Sequence, residues 1–280
     1  MNYGVVGTGQ VAQHIIAELK AREFPYVVYT RSIPSEESGV FSYTPETLPN
    51  LLRRHAIKQV INCAALRDIA LCEKNPHDAY IANVDLPKII GEVANQIYIS
   101  TDYVFDENQD SRTLDEKAES RGALSIYGQT KLEGERVVLS QGGVVARISS
   151  PFGVYPSPMK PHFVDFSSMS HKELDLPTDQ FFRISYLPDA AKVIIDLAED
   201  TAATGMYHVV NEGTATWVEV ARQARKLNRN NARVTGSMRW DKTRPTYGAL
   251  KNTRLPRLRH WTEAMDEYFR GTRAEERIKR

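Results

Sequence analysis

The chain of 280 residues has little cysteine, no surplus of either charge and no long apolar run, and each shortage closes off a class of function. Two cysteines, Cys63 and Cys72, are too few for a disulfide framework and do not stand at metal-ligand spacing, which fits a reducing, cytoplasmic compartment. The seven histidines are scattered, so no metal site is expected. With 36 basic and 35 acidic residues there is no net field to draw nucleic acid or an acidic bilayer, and neither is expected as a partner. No stretch reaches the roughly 18 apolar residues that would cross a membrane. The chain opens on a strand pattern at Asn2 and not on a basic, cleavable leader. The basic residues after Arg270 are interrupted by Glu275 and Glu276 and read as a solvated helix end.

What is present is an alternation. Apolar runs at Tyr3–Val6, Tyr26–Tyr29, Val60–Cys63, Ile97–Ser100 and Val144–Ile148 are separated by helical patterns near 11–22, 46–55, 79–94 and 127–139. β-Branched runs without polar alternation belong to strands covered on both faces, so the fold class is α/β, a doubly wound parallel sheet. After Pro151 the character changes, with Pro156, Pro158 and Pro161 following closely. Residues 1–150 are therefore expected to form a nucleotide-binding domain of Rossmann type, with a return to it at about 181–204. Residues 151–280 mainly form a smaller substrate-binding part. The second half carries a strand pattern at Phe181–Ile184, a helix over Pro188–Glu199, a strand at Tyr207–Val210 and a helix opened by Thr216 and Trp217.

Gly7-Thr8-Gly9-Gln10-Val11-Ala12 joins the first strand to the first helix. Glycines there permit a tight turn and let a pyrophosphate approach backbone amides at a helix N-terminus, although packing alone can also select them. The acidic residue that holds an adenosine ribose at the end of the second strand is missing. Arg31 stands there with hydroxyl neighbours Thr30 and Ser32, an arrangement suited to a 2′-phosphate or to simple loop capping. Asn62-Cys63-Ala64-Ala65 ends the next long strand with small residues against which a cofactor can lie. Asn83, polar in an apolar surround, reads as a structural hydrogen-bonding residue.

Tyr127-Gly128-Gln129-Thr130-Lys131 follows the segment Ser100-Thr101-Asp102-Tyr103-Val104-Phe105-Asp106. A phenol one helical turn before an ammonium, with a hydroxyl delivered from a strand end, is a proton-donating device for carbonyl reduction. Spacing alone is weak: 13 Tyr and 13 Lys give about 0.6 such pairs by chance. Tyr247 and Lys251 repeat it in a turn-rich stretch without a preceding hydroxyl-bearing strand, which marks the second pair as coincidence.

On these segments, with Gly205–His208, Gly213–Trp217, Arg244-Pro245 and Leu250, the chain resembles the extended short-chain dehydrogenase/reductases, and within them the dTDP-4-dehydrorhamnose reductase group. The resemblance spans residues 2–265. It implies reduction of a nucleotide-activated 4-keto-6-deoxysugar by NADPH or NADH, and Arg31 tilts the preference slightly to NADP. Tyr127 would be the proton donor and Lys131 the cation that lowers its pKa and holds the nicotinamide ribose. Thr101 would orient the substrate oxygen. Cofactor contacts are expected at Gly7, Gly9, Gln10, Val11, Arg31, Ala64, Ala65 and Ser100. Substrate contacts are expected at Thr101, Asp102, Tyr103, Ser150, Phe152, Arg183 and Arg244. Arg183 and Arg244 are candidates for the diphosphate, with surface ion pairing as the alternative. Trp217 reads as core packing more than as a stacking platform.

Departures from the group bear on the substrate. Dehydratases on this scaffold carry Asp-Glu after the threonine, whereas Asp102-Tyr103 stands here, which disfavours elimination of water. Ser150 occupies the position of the group's tryptophan, and Phe152 is the candidate to replace its ring. Leu66-Arg67-Asp68-Ile69-Ala70 replaces a Tyr-Thr-x-Val-Asp run. A homodimer is possible. Two other readings remain open: a non-catalytic, dinucleotide-binding regulatory subunit and a sugar-nucleotide epimerase.

Overall fold

The computed structural model describes residues 1–31, 39–106, 114–155, 173–228, 233–238 and 243–278, the last seven without their side chains. Ser32, Pro156, Pro158 and Pro161, named above, lie outside the described residues. In chain order the first half holds β1 (Tyr3–Val6), α1 (Gln10–Ala21), β2 (Tyr26–Thr30), β3 (Val40–Ser42), α2 (Leu48–Arg54) and β4 (Gln59–Asn62). There follow α3 (Ile69–Lys74), α4 (Pro76–Tyr80), α5 (Leu86–Gly91), β5 (Asn95–Thr101), α6 (Ile126–Ser140) and β6 (Val144–Ile148).

Among the described residues, seven strands form one sheet in the order β3-β2-β1-β4-β5-β6-β9, where β9 is Gly205–His208. Every neighbouring pair in it is parallel. The β-branched runs explain this: side chains alternate faces, and both faces are buried. Val5 packs with Ile15, Ile61, Ile97 and Ile194 on one side. Val6 packs with Leu48, Leu52, Val60 and Ile90 on the other. The chain returns through α7 (Leu187–Glu199), which lies against α1 and leads into β9. Arg22 ties these two helices together, pairing with Glu18, Asp196 and Glu199 at 2.6–2.8 Å.

The second half adds β7 (Glu173–Pro177), β8 (Phe181–Phe182), β10 (Asn211–Glu212), β11 (Ala215–Thr216), α8 (Trp217–Asn228), β12 (Arg233–Ser237), β13 (Tyr247–Gly248), β14 (Leu258–His260) and α9 (Trp261–Ile278). β8 lies between β11 and β13, and β7 pairs with β12. The strand pattern at Phe181–Ile184 thus yields only two strand residues, in a small sheet apart from the large one. A second apolar core of Phe152, Phe182, Tyr186, Val220, Trp261 and Met265 lies under these elements.

The helix expected over 79–94 is divided. A widened π-helical turn at Ile81–Asp85 separates α4 from α5. Asn83 sits in that turn and its side chain accepts from Leu66 N and donates to Leu66 O and Thr130 Oγ1, all at 3.0 Å. It fixes the loop after β4 against α6. Of the cysteines, Cys72 is the fully buried one, while Cys63 is only partly covered.

Candidate active site

α6 brings the site together. Ser125 caps it by accepting from Gly128 N at 3.2 Å, and Glu73 accepts from Ile126 N at 2.8 Å. Gly128 allows the first turn to come very close to the end of β5, because a Cβ there would lie 2.2 Å from Tyr103 O. Tyr127 is carried with it towards Thr101, whose hydroxyl lowers the pKa of the phenol. The Tyr127 and Tyr103 rings meet edge to face at 5.7 Å. Thr101 Oγ1 accepts from Tyr103 N at 3.3 Å and donates to Asp102 Oδ1 at 3.2 Å. Ser149, at the end of β6, donates to Asp102 Oδ2 at 2.9 Å. Burial pushes the Asp102 carboxyl up to about 6, against the lowering pull of Ser149, Thr101 and the Arg244 charge.

Lys131 is on the same helix one turn on, and its ammonium is held by the interior. Nζ donates to Ile99 O at 2.6 Å and lies 3.6 Å from the centre of the Tyr98 ring. Burial lowers it to about 7, with Glu135 the main opposing influence. The Tyr127 phenol is raised, burial being the largest cause; Thr101 and the charge of Arg67 pull it down. Arg67, from the loop after β4, adds a cationic pull on the phenol. Arg67 was visible only as a departure from the family pattern.

Behind Lys131, Glu135 forms a two-pronged pair with Arg147, Nε to Oε1 at 2.8 Å and Nη2 to Oε2 at 2.6 Å. The Ser100 hydroxyl donates to the same Oε1. The Ser100 side chain is thus engaged in the interior.

At the other end of the edge, Gly7 adopts φ +107°, and a Cβ there would lie 3.1 Å from Ala64 N. Glycine is required both for the turn and for the approach to the end of β4. Gly9 is exposed, its chain neighbours aside no atom lies within 4 Å of the space its Cβ would fill, and no side chain caps α1 there. Uncapped N–H groups facing open space suit a pyrophosphate, so this turn fits a dinucleotide. Gln10 is buried, Val11 packs on the core, and Ala64 and Ala65 are half-buried beside the turn. Arg31 is exposed at the end of β2.

A cleft opens beside Asp102 and Tyr103 and is lined also by Ser150, Gln180, Phe181, Phe182, Trp217, Arg244 and Pro245. Ser150 borders it in a left-handed conformation, φ +39°. Arg244 lies 5.7 Å from the Tyr103 ring centre. Two expected substrate residues are corrected. Phe152 is fully buried between Tyr186 and Tyr268, so it offers no ring to a ligand. Arg183 does not line the cleft and pairs with Glu212 at 3.2 Å, the alternative weighed above. Trp217, expected in the core, does pack on Phe182 at 4.6 Å but also faces the cleft, with Nε1 donating to Gln180 at 2.8 Å. Gln180, Phe181 and Ser149 carried no motif of their own. Among the described residues no cluster of His, Cys, Asp or Glu could hold a metal, and no helix is long and apolar enough to cross a membrane.

Comparison with known proteins bears on this geometry. A family model described as the RmlD substrate binding domain matches residues 4–273. A probable dTDP-4,6-dihydroxy-2-methyloxan-3-one 4-ketoreductase of Streptomyces antibioticus is 28% identical over 80% of this chain and 81% of its own. A dTDP-4-keto-6-deoxy-D-glucose reductase of Streptomyces niveus is 25% identical over 96% of each chain. The crystal structure of a dTDP-4-dehydrorhamnose reductase from Bacillus anthracis in complex with NADP superposes with a TM-score of 0.84. It covers 97% of this chain and 99% of its own at 22% identity.

Proposed function

The chain belongs to the RmlD substrate-binding domain family, within the extended short-chain dehydrogenase/reductases, and on that premise we propose that it reduces the 4-keto group of a nucleotide-activated 6-deoxysugar. The observation that carries this reading is the seating of Tyr127, in the first turn of α6, against the Thr101–Tyr103 end of β5, its ring edge to face with Tyr103, which lines the cleft. The relatives named for reduction of dTDP-keto sugars and the neighbour solved with NADP support the same assignment. In this reading residues 1–150, with α7 and β9, serve the nucleotide, and the remainder of 151–280 serves the sugar.

A bound nicotinamide dinucleotide supplies hydride to the keto carbon. Gly7 and Gly9, with the amides at the start of α1, hold its diphosphate. Ala64 and Ala65 leave room beside the end of β4. Arg31 favours the phosphorylated form of the cofactor. As negative charge develops on the substrate oxygen, Tyr127 supplies the proton. Its raised pKa keeps the phenol protonated through neutral pH, which is the state a donor needs. Thr101 orders the phenol, and Arg67 tempers the charge left on it. Trp217 and Phe181 give flat apolar surface at the cleft, and Arg244 gives a cation for the substrate's phosphates. Tyr103 occupies the place of a second carboxylate and cannot act as a base at neutral pH, so reduction stands without dehydration.

The test is Tyr127→Phe, assayed by NADPH oxidation with dTDP-4-keto-6-deoxyglucose. Turnover should fall by about 10²–10⁴-fold while the NADPH dissociation constant stays within about twofold. Unchanged turnover removes Tyr127 from the chemistry.

A further inference from the structure

Gln180 lines the cleft yet is only 5% exposed, and its carboxamide accepts from the Trp217 indole at 2.8 Å. An indole N–H can only donate, so it fixes which end of the amide it meets. Oε1 faces Trp217, and the two Nε2 protons are turned away from it. Among the described residues no other group bonds that amide. An acceptor alone satisfies the indole, and a backbone carbonyl or a carboxylate would supply one. A glutamine in an almost closed wall brings in addition two donors for which the protein provides no acceptor.

Strand order shows how far that donor lies from the reacting end. Gly248 of β13 stands against Asp102, where a Cβ would lie 2.6 Å from Oδ2. β8 is the neighbour of β13, and β11 lies beyond β8. Thr216 pairs with Phe181, so Trp217 falls opposite Gln180. Trp217 is thus two strand spacings, roughly 10 Å, from the strand against Asp102. Arg244 is on the Tyr103 side. A substrate with its keto carbon at Tyr127 and its phosphates at Arg244 sends its base towards Trp217 and the exposed ring of Phe181.

Resting on the reductase reading, we propose that Gln180 reads the nucleobase of the substrate and that Trp217 sets which proton-bonding group it presents. The base lies on the aromatic surface of Trp217 and Phe181, and Nε2 donates to its carbonyl oxygen. The ligand class is a base with a carbonyl on the edge remote from the ribose, as in uracil, thymine and guanine. Cytosine and adenine carry an amino group there, so that donor would meet donor. Gln180 is a specificity-determining residue and Trp217 its positioning residue; neither takes part in bond making.

The experiment measures dissociation constants of UDP, CDP, dUDP and dCDP by calorimetry on the NADP-saturated protein. Within each ribose type the two nucleotides differ only at the edge that Gln180 meets. The uracil nucleotide should bind about tenfold tighter than its cytosine counterpart. Gln180→Glu keeps an acceptor for Trp217 and removes both donors, so the preference should invert towards cytosine. Trp217→Phe keeps a ring and removes the N–H, leaving the amide free to turn. Its preference should shrink to within about twofold. NADPH affinity should be unchanged in both variants. A glutamine present only to satisfy the indole predicts equal binding of uracil and cytosine by the wild type. Equal binding overturns the proposal, as does a Gln180→Glu protein with the wild-type preference. In those cases turnover of dTDP-4-keto-6-deoxyglucose that is lost in Tyr127→Phe leaves the reductase reading standing. A wild type that binds none of the four nucleotides and reduces no keto sugar removes that reading, and the base contact with it.

Discussion

At the β1–α1 turn the protein meets the open edge of the sheet with backbone and methyl groups, from Gly7, Gly9, Ala64 and Ala65. At the β5–α6 end of the same edge it presents a phenol, hydroxyls and a buried carboxyl, held from behind by the Glu135–Arg147 pair. The first end works by leaving space and pointing amides into it. The second works by holding polar groups in an interior that disfavours them, and each such group must be held by another. One end depends on conformation and the other on charge, so they should fail differently.

The largest separation is expected from Arg147→Met. It leaves Glu135 buried with only the Ser100 hydroxyl and Lys131 near its charge. Loss of about 3–5 kcal/mol in stability is expected, or roughly 10 °C in melting temperature for a chain of this length. NADPH affinity, measured below the transition, should be unchanged. If affinity falls with stability, the two ends are one unit.

Asp102→Asn sharpens the contrast by moving stability the other way. The folded carboxyl sits at about 6 against 3.8 unfolded, so the native state holds more protons between those values. Stability is therefore lost as pH rises from about 4 to 6, and above 6 the full cost of about 1–3 kcal/mol is present. Asparagine carries no such cost. The variant should be the more stable protein in denaturant melts at pH 8, and the gap should close towards pH 4. A less stable variant at pH 8 would mean that the native carboxylate is held more favourably than its burial implies.

The glycine end is probed by a pair. Gly7→Ala combines a positive φ with contact against Ala64 backbone and should cost about 1–3 kcal/mol of stability. Gly9→Ala meets no protein atom at φ −70°, so stability should hold. The methyl group would instead stand in the space assigned to the cofactor, weakening NADPH about tenfold or more, as read by fluorescence titration. Equal stability losses in both variants would undo the distinction between a glycine kept for folding and one kept for a ligand.

That distinction also explains what was legible beforehand. The turn, the strand ends and the Tyr127 segment are contiguous in the chain, and their residue types are dictated by local geometry. The parallel sheet was readable for the same reason, since covered strands show as unbroken β-branched runs. The cleft was not. Gln180, Phe181 and Trp217 come from the small sheet and α8, and meet Asp102 only through tertiary packing. Phe152 illustrates the error this invites: its place in the chain suggested a replacement ring, but its bridge to Tyr186 turns it into the second core. Lys131 shows a subtler limit. Spacing put it on the face of Tyr127, yet the direction of a long side chain is set by its acceptor, here Ile99 O. Arg67 adds its pull on the phenol from a loop held by Asn83, 17 residues from its bonded partner Leu66.

Arg31 gives the smallest effect and the finest cut. It stands exposed where β2 ends, next to buried Thr30. Its charge reaches Tyr43. An exposed guanidinium gains only modestly from an anion, so Arg31→Ala should weaken NADPH by about threefold to tenfold. NADH, which has no 2′-phosphate, should bind as before, and added salt should shrink the difference between the cofactors in the wild type. Parallel loss for both would show Arg31 supporting the loop and not the phosphate. It would also mean that the nucleotide end discriminates by the shape of its backbone, as it binds, without borrowing charge from a side chain.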